Sequence, residues 1–258
     1  MGDRPCDELF IRQARGPTDG AAAAAMRGAL YSGRVFHLDA TAASAALAFT
    51  VRGALQRMFG DDYRTAHTAA EPTAAFEALG AVRRVLFTAP EFHEALGHVI
   101  TALGFDLRRT AVDPLRLRVV AHDGHLLPNA RAVYYPHRDT WYAHPQSAVT
   151  GWIPLDDVEE PETFVFYPER FSTAVPNDSE IFDYDDWVRD GWDLKIGWQK
   201  RDSGLTARYP QWLGPLPPLG ELPDPTETGP AVGFAARRGE HILFSGAQFH
   251  VTRPQSLG

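Results

Sequence analysis

The sequence predicts an α+β domain, or a barrel with a helical layer packed outside it. Apolar residues recur at helical spacing through much of residues 20–110, whereas short β-branched and aromatic runs follow from residue 115 onward. Helices that precede strands in this way are typical of α+β folds. We therefore predict a single domain over residues 1–258, with a mainly helical layer at 1–110 and a strand-rich core at 115–258.

Three stretches in the first part of the chain predict helices. The first, "AASAALAFTVRGALQRMFG", repeats apolar residues at helical spacing and ends at Gly60. The second is "EPTAAFEALGAVRRVLF". The third is "APEFHEALGHVITALGF", in which Pro90 lies early and Gly104 near the end, the positions that these residues favour at helix termini.

Five short runs in the second part predict strands. The run "LRLRVV" alternates apolar and basic residues, as a half-buried strand does. The others are bounded by Gly, Pro, Asn or Asp and indicate an antiparallel body: "ARAVYYPH", "SAVTGWIPL", "TFVFYP" and "EHILFSG". Periodicity is lost over about 176–230, where an acidic, Trp-rich half precedes a proline-rich half. We predict a lid or a partner surface there, and favour a rigid loop over a polyproline ligand for "PLPPLGELP".

Composition excludes several classes of partner. The net charge is −8 and no basic cluster offsets it, which argues against nucleic acid and anionic membrane surfaces. No apolar run is long enough to cross a bilayer, so we expect a soluble, cytoplasmic protein that binds a small molecule. Cys6 is the one cysteine, so a metal would be held by His, Asp or Glu. The oligomeric state stays open.

The stretch "YYPHRDTWYAHPQ" carries the candidate metal ligands. If it ends a strand, His137 and Asp139 project to one face, because side chains at i and i+2 share a face. His250, in "GEHILFSGAQFHVTRP", is the candidate third ligand. Two His and one carboxylate on one side of an octahedron suit ferrous iron with open positions. By contrast, "HEALGH" does not match the zinc-protease helix motif, because its two His are five residues apart rather than four.

Three ordered segments resemble a known family. "PHRDTWY", "GWIPLDDVEEPETFVFYPERFS" and "GEHILFSGAQFHVTRPQS" resemble the phytanoyl-CoA hydroxylase-like branch of the iron(II)- and 2-oxoglutarate-dependent oxygenases, over roughly residues 115–258. The resemblance implies a double-stranded β-helix, or jelly roll, with N-terminal helices packed outside it. It also implies Fe(II) bound by His137, Asp139 and His250, with 2-oxoglutarate as co-substrate. Asp139 stands where halogenating relatives have a small residue, which excludes halogenation.

The resemblance also suggests residues that contact the co-substrate. In the family a basic residue holds the far carboxylate of 2-oxoglutarate, and its expected position lies past Gly258, so we expect the natural chain to extend further. Within the sequence, the candidates are Thr252, Arg253 and Trp152. Arg116 and Arg118 are further candidates if their strand lines the barrel.

The substrate is the least specified part of the interpretation. Trp141, His144, Asp186 and Trp187 are candidate substrate or lid residues, because acidic and aromatic side chains attract and stack against cationic or sugar-like molecules. Resembling bacterial enzymes tailor sugars and antibiotics, including orthosomycin-type oxygenases, which suggests an amino-sugar or glycosylated antibiotic intermediate. The alternatives are an acyl-CoA hydroxylase, a non-catalytic jelly-roll protein that binds metal or ligand, and a zinc hydrolase.

Overall fold

The structure is a computed structural model that describes residues 9–126, 134–142, 144–185 and 210–255. Internal contacts divide these residues into two compact units. The first, called the sheet unit here, is drawn from Met1–Asp39, Val120–Phe182 and Arg208–Gly258. The second, the helical unit, is drawn from Ala40–Val119 and Asp183–Ala207.

The sheet unit contains two small sheets. Its strands are β1 (Phe10–Gln13), β2 (Val35–Leu38), β3 (Val149–Trp152), β4 (Phe164–Phe166), β5 (His241–Ser245) and β6 (His250–Thr252). Four of them form one sheet in the order β1-β2-β5-β3, in which β1 and β2 are parallel and the other pairs antiparallel. The remaining pair, β4 and β6, is antiparallel. Neither sheet is closed into a barrel over the described residues, so the jelly-roll core stays a prediction.

Aromatic side chains fill the core beside both sheets. The Phe164 and Phe234 rings lie 5.0 Å apart edge to face, and Phe166 and Phe244 make a second such pair at 5.0 Å. Edge-to-face pairs of this kind stabilise a core beyond the area that they bury. Because residues alternate along a strand, Val165, Tyr167 and Val251 face the other way, into a second cluster with Phe249 and Trp212.

The described residues of the sheet unit include two α-helices. Helix α1 (Gly20–Tyr31) begins after Asp19, whose carboxylate accepts a hydrogen bond from the Ala22 amide. It contacts β2 and β5. A second, much shorter helix lies at Pro225–Thr228.

Among the residues of the helical unit that the structure describes, the helices include α2 (Ala42–Phe59), α3 (Ala66–Ala69), α4 (Pro72–Thr88) and α5 (Pro90–Ala102). Thr41 and Ser44 form a reciprocal cap at the start of α2, and Gly60 ends it with a positive φ of 82°. Helix α2 contacts both α4 and α5. Within the described residues, none of the helices combines the length and the apolar character that crossing a bilayer requires.

The three predicted helices are confirmed by α2, α4 and α5, but the strand predictions need three corrections. The run "LRLRVV" is not a strand: residues 111–120 have no regular structure, and the Leu117 carbonyl accepts a hydrogen bond from Arg83 instead. Conversely, β1 and β2 lie inside the stretch predicted as helical. Of "ARAVYYPH", residues 130–133 lie outside the described residues, and 134–136 form no strand.

Candidate metal centre

The backbone brings His137 and His250 side by side. The His137 amide donates to the His250 carbonyl at 3.0 Å, and the His250 amide donates back at 3.0 Å. This is an isolated antiparallel bridge next to β6, and in such a pair the two side chains emerge on the same side. The two imidazole rings lie 4.4 Å apart, so a local sheet contact pairs residues that are distant in sequence.

Asp139 reaches the same place from a turn rather than from a strand, which corrects the sequence interpretation. It is the first residue of a 3₁₀ turn, Asp139–Trp141. The Thr140 amide donates to the Gly246 carbonyl at 3.2 Å and holds the turn against the connection between β5 and β6. A Cβ at Gly246 would stand 3.4 Å from the Asp139 Cβ, an ordinary van der Waals contact, so the turn lies directly against this connection.

The donor atoms of the three side chains converge. The His137 Nε2 lies 3.7 Å from Asp139 Oδ1, and the His250 Nε2 lies 3.8 Å from the same oxygen. Atoms bound to one metal at about 2.1 Å are separated by roughly 3 Å, so small side-chain movements would close the site around an ion. Within the described part of the chain, this is the group of three His, Cys, Asp or Glu side chains whose donor atoms lie within 4.8 Å of one another.

The outer nitrogens of both imidazoles are already occupied. His137 Nδ1 donates to the Tyr135 carbonyl at 2.8 Å, and His250 Nδ1 donates to the Gln248 carbonyl at 3.0 Å. Because a carbonyl can only accept, each Nδ1 carries a proton, and Nε2 is the nitrogen that the neutral imidazole would offer to a metal. Such outer hydrogen bonds fix the tautomer and the orientation of metal-binding imidazoles.

The carboxylate of Asp139 is held in a similar way. Its Oδ2 accepts a hydrogen bond of 2.6 Å from the Thr150 hydroxyl, which leaves Oδ1 facing the imidazoles. Burial alone would raise the pKa of Asp139. The neighbouring His250 and His137, together with the Thr150 hydrogen bond, outweigh burial and keep that pKa below its ordinary value. The group is therefore a carboxylate, the form that binds a metal.

Aromatic rings line the centre. The rings of Phe244, Phe164 and Phe166 lie 5.4, 5.9 and 6.2 Å from the His250 ring, and Tyr142 lies 5.1 Å from His137. These rings exclude water from that side. A dry surrounding strengthens electrostatic attraction between the carboxylate and a cation.

The predicted co-substrate residues have different environments. Thr252 is buried, and strand alternation puts it on the same face of β6 as His250. Arg253 directly follows β6, and its guanidinium pairs with the Glu160 carboxylate. Trp152 packs edge to face against Phe164 in the aromatic core.

The remaining candidates divide between the centre and other regions. Trp141 is half-buried, with its ring 6.0 Å from that of Phe249, and His144 is close enough to lower the pKa of Asp139. Arg116 belongs to the helical unit and pairs with Asp113. Arg118 also belongs to the helical unit. Asp186 and Trp187 lie outside the described residues.

Sequence reasoning missed Thr150 and Tyr142. The sequence does contain a signal that could have pointed to Thr150. Thr150 lies two residues before the candidate residue Trp152 in a run with strand character, so the two side chains share a face of the predicted strand. Nothing in the sequence indicates which strand lies beside the Asp139 turn, and that contact is what makes Thr150 a partner of the carboxylate.

Comparisons with known proteins return no match. No family model, no curated protein and no solved structure matches this chain.

Proposed function

We propose that this protein is a non-haem Fe(II)-dependent oxygenase that uses 2-oxoglutarate and oxidises a small molecule. The observation that supports it most is the convergence of two imidazole nitrogens and one carboxylate oxygen in a buried, aromatic-lined place. Two His and one carboxylate, with further positions open, are the ligand set of non-haem Fe(II) oxygenases.

The donor set fits a ferrous ion. His137 and His250 present Nε2 lone pairs, and Asp139 presents one oxygen with the negative charge that a divalent cation needs. When bound, the iron would supply dioxygen activation. The residues of the chain hold the ligands in place before the ion arrives and keep water away on the side of the phenylalanines.

The described residues near the centre offer fewer groups for binding 2-oxoglutarate than for binding the metal. Thr252 offers a hydroxyl on the face of His250, but the two arginines next to the ligands are both engaged elsewhere. Arg253 pairs with Glu160, and Arg138 donates to backbone carbonyls of residues 170, 171 and 173. The use of 2-oxoglutarate thus rests on the sequence resemblance, as does an amino-sugar or glycosylated antibiotic intermediate as substrate.

The test is formation of succinate from 2-oxoglutarate by protein loaded with Fe(II) without oxygen and then exposed to air. We expect turnover in the wild type and its loss in His137→Ala and Asp139→Ala. His98→Ala, a change at an exposed histidine of α5, is the matched control and should retain turnover. Unchanged turnover in the two ligand variants would contradict these roles.

A non-catalytic metal-binding protein is the second candidate. The ion pair between Arg253 and Glu160 favours it, because an arginine that is paired with a protein carboxylate is less available to hold the carboxylate of a co-substrate. Calorimetry with Mn(II) and then 2-oxoglutarate separates the two candidates. Heat from the metal alone favours the binding protein, whereas heat from both favours the oxygenase. A zinc hydrolase would be distinguished by activity without oxygen.

A further inference from the structure

The two oxygens of the Asp139 carboxylate have separate partners. Oδ1 faces His137 and His250, whereas Oδ2 accepts the 2.6 Å hydrogen bond from Thr150. This length is typical of a hydrogen bond from a hydroxyl to a carboxylate, which is roughly twice as strong as one between neutral groups.

The two sides of this hydrogen bond differ in how firmly they are held. Thr150 is part of β3 and pairs in register with Phe244 of β5, so the sheet fixes its backbone. Asp139 lies on a short turn outside the sheet. The hydrogen bond therefore ties a carboxylate on a turn to a residue on a strand, and sites carried by strands are more exactly positioned than sites on loops.

We propose that Thr150 is a positioning residue that keeps Asp139 a one-oxygen ligand. The inference rests on the proposed metal centre and deepens it. With Oδ2 occupied, Asp139 takes a single coordination position, so a six-coordinate ion held by Asp139, His137 and His250 keeps about three positions for exchangeable molecules. Without the hydroxyl, Oδ2 is released, the carboxylate chelates through both oxygens, and about two positions remain.

Substitutions at Thr150 separate the hydroxyl from the shape of the side chain. Thr150→Val removes the donor and keeps the branched shape, whereas Thr150→Ser keeps the donor. Thr150→Ala gives a second variant without the donor if valine impairs folding. Thr163→Val is the matched control, because the buried Thr163 hydroxyl donates to the Phe234 carbonyl at 2.9 Å rather than to a ligand.

The measurement is the number of water molecules on bound Mn(II), counted from the broadening of its electron paramagnetic resonance lines in ¹⁷O-enriched water. We expect about three waters in the wild type, Thr150→Ser and Thr163→Val, and about two in Thr150→Val and Thr150→Ala. A merely structural role for Thr150 would alter stability without changing this count.

The outcomes distinguish the inference from the function on which it rests. If the wild type binds Mn(II) through His137 but both variants without the donor keep about three waters, the role of Thr150 is wrong and the metal centre stands. Loss of a water in Thr150→Ser would likewise overturn the inference, since its hydroxyl remains. If the wild type binds no Mn(II), or His137→Ala binds it equally well, the metal centre itself is wrong.

Discussion

Replacement of the buried His241 should make the folded state less sensitive to acid. His241 is the first residue of β5 and is 1% exposed, and its Nε2 has no hydrogen-bond partner among the described residues. Burial lowers the pKa of His241 to about 4, against a smaller opposing effect of Glu240. The imidazole is therefore neutral in the folded protein at pH values where it would be charged in the unfolded chain.

The size of the effect follows from this difference. The ordinary histidine pKa is about 6.5, so the two states differ by roughly 2.5 pH units, or about 3 kcal/mol at most. Because the unfolded state binds the proton more readily, acid favours unfolding. This contribution to the free energy of unfolding is fully present above pH ~6.5. It decreases as the pH is lowered from ~6.5 to ~4 and is lost below that range.

The assay is urea unfolding followed by tryptophan fluorescence at about pH 7 and about pH 5, with a chelator present so that metal binding does not contribute. Between these values the wild type should lose about 2 kcal/mol more than His241→Gln, which has no proton to bind in this range. His98→Gln, a change at an exposed histidine, is the control and should follow the wild type. Equal losses in the wild type and His241→Gln would refute the reasoning.

Two further predictions concern the metal centre. Arg138, between two of the ligands, donates to backbone carbonyls after β4 at 2.8 Å for Thr173 and 3.3 Å for Phe171. Because hydrogen bonds from a charged donor contribute about 1.5–3 kcal/mol each, Arg138→Met should lower the free energy of unfolding by about 2–4 kcal/mol, measured by urea unfolding. Arg138→Lys should recover part of this, and a loss in Arg138→Met below about 0.5 kcal/mol would mean that these contacts do not hold the segment. Separately, Mn(II) at about 100 times its dissociation constant should raise the free energy of unfolding of the wild type by about 2.7 kcal/mol, measured in the same way. His250→Ala should gain far less, and an equal gain would place the ion elsewhere.

The ligand types could be predicted from the sequence, but their geometry could not. His137, Asp139 and His250 were chosen because of their chemistry and their surroundings in the chain, and the structure brings them together. Strand alternation does not align His137 with Asp139, since Asp139 lies on a 3₁₀ turn. The turn depends on a long-range contact with Gly246, and no local pattern encodes such a contact.

Local patterns also explain which elements were predicted. Helices α2, α4 and α5 have many residues at helical spacing, and their caps are local. Strands β1 and β2 have four residues each, and they are strands because β2 pairs with β5, which lies about 200 residues further along the chain. Pairing with a distant strand can thus override a weak local preference. The run "LRLRVV" is the opposite case: its alternation suggested a strand, but it pairs with no strand and has no regular structure.

The centre is organised before any ion binds. Each ligand uses one atom to form a hydrogen bond with the protein, through the carbonyls of Tyr135 and Gln248 and the hydroxyl of Thr150. These bonds compensate for burying polar groups and point the remaining donor atoms at one another. The His137 and His250 Nε2 atoms then lie 3.7 and 3.8 Å from the Asp139 Oδ1 atom, within reach of one ion. The arrangement is therefore one that could hold a divalent cation.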